Sequence, residues 1–378
     1  MKLTDVVDRI NGNVDRFTTE LEYYIGGEHF ESNELEVTQK GLLKENLGKL
    51  GFKFHFAFQD RDVVFMARNP HLRKAGMVRF AGLCSDASYI LRSKDETVLS
   101  QEYLAVMLQS DHFWDYCESH KVGSVNFANN WSSIANYEFE LPTPEEQKEI
   151  SDKVWAAYRL KKSYKKLLAA TEEMVKSQFI EMFGSVDDNP KSYDIKKVGD
   201  FAECFAGATP STKISSYWDN GNIPWMSSGE VHKARVQDTD AKITQQGYDG
   251  CSTKMVPIHS IVIALAGQGK TRGTVAINDI ELCTNQSLCA IVPNEEVNYE
   301  YLFHNLRGRY KELRSMSGDV DGRGGLNLKH IQNIKVIVPP MSEQMKFVSI
   351  ARQADKSGFE LRKSIDAIDA VIKSLINS

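Results

Sequence analysis

The chain uses one pattern twice. Ile134-Ala135-Asn136-Tyr137-Glu138-Phe139-Glu140-Leu141-Pro142 is a short alternating run stopped by proline, and so is Ile331-Gln332-Asn333-Ile334-Lys335-Val336-Ile337-Val338-Pro339. Glu146-Gln147 follows the first and Glu343-Gln344 the second, 197 positions later. The offset persists beyond these runs. Lys176-Ser177 falls on Lys373-Ser374, and Glu102-Tyr103-Leu104 answers Glu300-Tyr301-Leu302. Val63-Val64-Phe65-Met66 answers Ile261-Val262-Ile263-Ala264, each the pattern of a buried strand. One such match arises easily by chance; four at nearly one offset do not. The chain is therefore one unit repeated: a mixed, strand-rich domain and then a long helix.

The helices carry a seam. After Pro339 the apolar or small positions are Phe347, Ala351, Ala354, Gly358, Leu361, Ile365, Ile368, Ile372 and Leu375, in alternating steps of four and three. That is a heptad pattern. The same register in the first copy gives Ile150, Val154, Ala157, Lys161, Tyr164, Leu168, Thr171, Val175 and Gln178, with Lys161 and Gln178 interrupting it. Each helix spans roughly 35 residues, so roughly 50 Å at about 1.5 Å per residue. Equivalent helices related by a twofold axis must run oppositely. The repeat thus predicts an intramolecular antiparallel coiled coil; two core helices of unrelated domains are the alternative.

The expected fold class is α/β in the α+β sense: two strand-rich domains joined by two long antiparallel helices, a pseudo-twofold repeat. The expected boundaries are 1–143 for the first domain, 144–184 for its helix, 185–192 for a linker, 193–340 for the second domain and 341–378 for its helix. Gly184 suits a left-handed helix cap, and Pro190 blocks continuation.

Composition adds limits rather than identity. Of 378 residues, 42% are hydrophobic and 26% charged, ordinary for a globular protein. No apolar run approaches the roughly 18 residues of a membrane span. The polar, acidic start lacks a signal core, so a cytoplasmic protein away from membranes is expected. Six cysteines without a Cys-x-x-Cys pair fit reduced thiols. The net charge of −5 does not announce a nucleic-acid partner, although the local field decides that question.

Enzyme motifs are missing. The chain has no Asn-Pro-Pro-aromatic or Asp-Pro-Pro-aromatic segment for amino-methyl transfer, and no Pro-Asp pair of the commonest nuclease type. Cys117-x-x-His120 is a lone pair, so no metal and no cofactor are expected. Ala264-Leu265-Ala266-Gly267-Gln268-Gly269-Lys270-Thr271 resembles a phosphate loop, but the next residues, Arg272 to Asp279, read as turn and strand, not the helix such a loop must open. It reads better as a hairpin tip that brings Lys270 and Arg272 toward a DNA phosphate or a guanine edge. The equivalent loop of the first copy holds Arg68, His71, Arg73, Lys74 and Arg79 without an acid. Lys233, Arg235, Arg307, Arg309 and Arg323 are further candidates in the second copy. The run Arg159, Lys161, Lys162, Lys165, Lys166 reads as a solvated helix face.

Taken together, Gly207-x-Thr-Pro-Ser211, Tyr217-Trp218, Gly221-Asn222-Ile223-Pro224-Trp225 and Gly229-Glu230 resemble the opening of a Type I restriction–modification target-recognition domain. Val336-Ile337-Val338-Pro339-Pro340-x-x-Glu343-Gln344 resembles its exit. Tyr24-Ile25-Gly26-Gly27-Glu28-His29 and Leu141-Pro142-x-x-x-Glu146-Gln147 are similar landmarks in the first half. The resemblance covers the whole chain and implies a non-catalytic specificity subunit. Each domain would read half of a bipartite target in the major groove of double-stranded DNA. The helices would set the spacing and dock two methyltransferase subunits, which bring S-adenosylmethionine; motor-nuclease restriction subunits can join. Two other readings stand beside it: a coiled-coil scaffold joining two protein-binding domains, and a nucleotide-binding protein using Gly269-Lys270-Thr271.

Overall fold

The computed structural model describes residues 1–125, 127–267, 269–316 and 324–377. It divides into two compact units, Met1–Leu167 with Leu361–Ser378, and Leu168–Glu360.

The first unit is built on strands β1 (Val7–Ile10), β2 (Tyr23–Ile25), β3 (Glu36–Val37), β4 (Gly41–Leu42), β5 (Phe54–Phe58), β6 (Val63–Met66), β7 (Ala75–Val78), β8 (Gly82–Ser85) and β9 (Ser88–Ser93). They form two sheets, in the orders β1-β9-β6-β7-β3 and β4-β2-β8-β5. β6, β7 and the start of β9 are buried on both faces, which is why their sequences run apolar instead of alternating. The short helix α1 (Gln101–Met107) is capped by Ser100, whose side chain accepts from the Tyr103 amide. Helix α2 (Pro144–Phe183) comes after it.

The second unit repeats this plan with β10 (Asp194–Lys197), β11 (Ala202–Ala206), β12 (Ile223–Met226), β13 (Arg235–Val236), β14 (Ala241–Ile243), β15 (Ile261–Ala264), β16 (Val275–Asn278), β17 (Cys283–Thr284), β18 (Leu288–Pro293) and β19 (Lys335–Val338). Its main sheet runs β11-β18-β15-β16-β13, element for element the order of the first. The terminal pairs β3·β7 and β13·β16 are both parallel, among otherwise antiparallel neighbours. The second sheet, β14-β12-β17, matches β4-β2-β8, again with one parallel pair in each. In this copy β5 is reduced, among the described residues, to the single antiparallel bridge between Val256 and Leu282. Helix α3 (Tyr299–Gly308) answers α1, and α4 (Met341–Ile376) answers α2.

The proline-stopped runs explain themselves here. Gln147 is 1% exposed; its Nε2 donates to the carbonyls of Val98 (2.8 Å) and Pro142 (2.9 Å), and its Oε1 accepts from the Ser100 amide (3.0 Å). Gln344 is fully buried and does the same with Glu296 (2.9 Å), Pro339 (2.8 Å) and the Asn298 amide (2.8 Å). Each glutamine thus ties the start of its long helix to the chain just before α1 or α3. An amide is needed, because the site asks for donors and an acceptor in one side chain.

The heptad seam is the packed face of both helices. Val154, Lys161 and Val175 of α2, and Phe347, Ala351, Ala354, Gly358 and Ile372 of α4, are buried. Within the first unit the N-terminal part of α2 runs antiparallel to the C-terminal part of α4, since Ile372 lies with Val154 and Asp369 with Lys161; the second unit holds the other parts of both helices. In the first unit Ile372 joins Val154, Trp155 and Tyr158 in the main core. In the second, Phe179 and Phe347 meet edge to face at 5.1 Å. Gly184 ends α2 at φ +74°, and a Cβ there would lie 2.1 Å from the Asp188 carbonyl oxygen.

His304 packs against this second core, half-buried, with its ring 5.4 Å from Phe347. Burial, with Arg307 and Arg235 nearby, pushes its pKa down to about 4. The unfolded histidine titrates near 6.5, so between these values the unfolded chain binds the extra proton and stability falls as pH falls. His304→Phe should remove this component. The variant is expected to gain on the wild type by on the order of 2 kcal/mol between pH 6.5 and 4, read from urea midpoints across that range.

Candidate nucleic-acid interface

The residues of the opening motif brace a loop. A Cβ on Gly207 would lie 1.9 Å from the Thr284 carbonyl oxygen, so only glycine lets that backbone approach β17. Trp225 Nε1 donates to the Ala208 carbonyl (3.0 Å), and Trp218 Nε1 donates to the Ser211 carbonyl (3.2 Å). The two indoles meet edge to face at 5.1 Å. Gly207, Trp218 and Trp225 therefore hold the 207–211 loop in place. Glu230 completes the frame: it is 4% exposed, accepts from the Ser227 amide and pairs with Lys233 at 2.8 Å.

The cations singled out from sequence divide into two groups. In the first unit Arg68 and His71 are exposed. Arg73 is instead held by Asp111 at 2.5 Å, Lys74 donates to the Gly27 carbonyl at 2.6 Å, and Arg79 pairs with Glu36 at 3.2 Å. In the second unit Lys270 is exposed at the tip between β15 and β16. Lys233 is shared by Glu230 and Asp240, both at 2.8 Å, and Arg235 by Asp279 (2.8 Å) and Glu300. Arg309 pairs with Glu312, and Arg307 lies 3.9 Å from Glu172. Arg272 corrects the hairpin reading: it is 3% exposed and donates to the Gly324 carbonyl, so its guanidinium clamps the loop from inside. Arg323 lies outside the described residues. The tip passes through a turn directly into β16 and opens no helix of its own among the described residues.

One ion pair is inverted between the copies. Glu36 on β3 meets Arg79 just after β7; at the equivalent places Arg235 on β13 meets Asp279 just after β16. Both fasten the short parallel edge strand, so Arg79 and Arg235 have structural work that sequence alone did not disclose.

The basic run on α2 is only in part a solvated face: Arg159 and Lys166 are exposed, while the other three are engaged. Lys161 is 5% exposed and bridges Glu34 (2.9 Å) and Asp369 (2.6 Å). Lys162 reaches Glu36 at 2.6 Å, and Lys165 reaches Glu34 at 2.7 Å. Burial pushes the Glu34 carboxyl up, but hydrogen bonds from Lys165 and Lys161 outweigh it and hold the group below its ordinary range. The interruption at Lys161 in the heptad seam is thus a buried ion cluster seating the first domain on its helix. The counterpart of Lys161 in the second copy is Gly358, so nothing in the repeat pointed to it.

No cluster of His, Cys, Asp and Glu among the described residues could hold a metal ion. No described helix is long and apolar enough to cross a membrane.

Comparison with known proteins agrees with these landmarks. Residues 190–368 match a family model described as Type I restriction modification DNA specificity domain. The EcoR124I/EcoR124II specificity subunit of Escherichia coli is 26% identical over 163 residues, 42% of this chain and 40% of that protein. The MjaIX specificity subunit of Methanocaldococcus jannaschii is 26% identical over 213 residues, 54% of this chain and 48% of that protein. The matches thus span about half or less of these relatives. Two solved structures share the fold over 100% of this chain. One is a chain from work on complex assembly and conformational transition of the type I R-M system (TM-score 0.59, 15% identity, 95% of that chain). The other is the Type-I restriction-modification system S subunit from M. genitalium (TM-score 0.59, 13% identity, 94% of that chain).

Proposed function

We propose, from the premise that residues 190–368 form a Type I restriction modification DNA specificity domain, that this chain is a specificity subunit reading a bipartite sequence in double-stranded DNA. The observation that carries the proposal is the repeat of one sheet order in both units, with the matched domain covering residues 190–368. A duplicated reader with divergent loops suits a target of two unlike halves. Direct readout needs side chains presented to base edges in the major groove, while phosphate contacts set register without carrying sequence. Arg68, His71 and Lys270 are exposed at equivalent places in the two units and are assigned to DNA; the paired cations hold the loops from which they project.

The chain transfers no bond itself. Two methyltransferase subunits supply S-adenosylmethionine and the adenine-directed chemistry, and motor-nuclease subunits convert the assembly to restriction. The paired long helices serve as spacer and docking surface. Work in the cytoplasm, where the DNA is, follows from this reading.

Methylome sequencing of cells with and without the gene tests it. Deletion is expected to abolish methylation at one bipartite motif. Unchanged methylation in cells that express the full set of subunits would sink the proposal.

A further inference from the structure

The lobe of the first unit is built from β4, the short helix Leu43–Asn46 and β5, over a small core of Tyr24, Leu43 and Leu83; the second unit answers with β14 and the helix Gln245–Asp249 but has no strand in the place of β5 among the described residues. β5 extends the second sheet beyond β8, where the other copy has no strand among the described residues. The lobe is also the chain's electrostatic anomaly. From the end of the edge strand through β5, residues 37–59 hold four lysines, Lys40, Lys44, Lys49 and Lys53, against the single acid Glu45. The equivalent stretch, 236–259, holds two lysines against three aspartates. In a chain of net charge −5, this concentration of positive charge is local and specific to one copy.

The placement of these groups differs from that of the basic loop cations. Lys44 and Lys49 are exposed. Lys40 sits over the Tyr23 ring, 3.4 Å from its centroid. Lys53 has a surface pairing with Asp86 at 3.1 Å, which contributes little and is easily exchanged. Beside the lysines two phenylalanines face solvent: Phe52 is 81% exposed and Phe17 67%. Arg16 fixes them together, donating to the carbonyls of Leu50 and Gly51 while its guanidinium lies 4.8 Å from the Phe17 ring centroid. Large apolar groups left in water beside unpaired positive charge mark a surface meant for a partner. The partner that satisfies both is a polyanion with flat or methylated apolar edges, which is what a DNA duplex presents.

We infer that this lobe is a second surface, beside Arg68 and His71, by which the first unit holds DNA, with Lys44 and Lys49 on phosphates and Phe52 against the apolar edge of a base. The inference rests on the DNA-reading proposal above and assigns its place in one unit. It also accounts for how the first domain can bind DNA when Arg73, Lys74 and Arg79 are occupied by the protein's own acceptors.

The test uses the full chain assembled with its methyltransferase subunits and a random-sequence DNA duplex. Each phosphate contact contributes about 0.9 to the slope of log K against log salt concentration. Lys44→Gln combined with Lys49→Gln should therefore lower that slope by about 1.8. Lys148→Gln combined with Lys153→Gln, the same charge change on the long helix, should leave it in place. Phe52→Ser should keep the slope and weaken methylation at the first half-site only. These side chains are exposed, so the melting temperature should stay unchanged and report intact folding. A wild-type complex that binds the duplex with a slope the double lysine variant does not alter overturns the lobe assignment and leaves the DNA-reading proposal standing. Loss of methyltransferase assembly with an unchanged slope overturns it too, making the lobe a protein-docking surface. A folded wild-type complex with no affinity for DNA takes down both.

Discussion

Gln344→Leu is expected to cost roughly 3–6 kcal/mol, read as a drop in the urea midpoint. The substitution keeps the volume but leaves the Glu296 and Pro339 carbonyls and the Asn298 amide without their partner. Each buried polar group so orphaned costs about 1–3 kcal/mol, less where water can enter. Gln344 is fully buried, which denies easy entry. Total stability of a typical protein is about 5–15 kcal/mol, so the change is a large fraction of it. Gln147→Leu should act similarly on the first unit, through Val98, Pro142 and Ser100. Gln344→Glu keeps an acceptor for Asn298 but offers neither carbonyl a donor while ionised, so it should fall with the leucine variant. Midpoints within about 0.5 kcal/mol of wild type, the ordinary range for surface changes, would mean that the glutamines are bystanders.

The pair Glu146-Gln147 and Glu343-Gln344 was legible as a repeated signature long before its reason was. Spacing gives identity of position; only the fold shows that Gln147 and Gln344 close a three-way hydrogen-bond bridge. The heptad seam was legible for the same reason that helices pack: burial selects one face, and every seventh position returns to it. Phe347, Ala351 and Ala354 needed no more than that. Lys161 broke the pattern in sequence because its partners, Glu34 and Asp369, come from distant parts of the chain. Local periodicity carries no information about such partners. The cations failed in the same way. Arg73 looks free beside its neighbours in sequence, yet Asp111 lies on it in space. Arg272 looks like a hairpin tip, yet its guanidinium turns inward to Gly324. What remained hidden longest was the lobe around Lys44 and Phe52, because half of its signal is exposure, and exposure is decided by what the rest of the chain leaves uncovered.

Exchange of residues 1–140 for the corresponding domain of a relative is expected to change one half of the methylated motif and leave the other half intact, provided that Glu34 and Glu36 are kept. The proviso comes from the ion cluster. Lys161 stays behind on the recipient's α2, 5% exposed, with Asp369 as its other partner. A graft without a carboxylate at position 34 leaves Lys161 and Lys165 without their shared acceptor, and one without Glu36 releases Lys162. Breaking a buried pair from one side costs about 3–5 kcal/mol, and Asp369, which Lys161 keeps at 2.6 Å, offsets part of that cost here. Such grafts should accumulate poorly or fail to methylate either half. Restoring both glutamates should recover methylation with the donor's first half-site and the recipient's second. The divergence that makes two unlike half-sites plausible lies elsewhere, in the lobe of residues 37–59 and its acidic counterpart at 236–259. Seating and reading are thus carried by different residues of one domain, which is what an exchangeable reader requires. Methylome sequencing of the graft, with and without Glu34 and Glu36, decides the matter. A motif altered in both halves would show that the two domains do not read independently. A graft lacking both glutamates that methylates normally would show that the Lys161 cluster does not seat the domain.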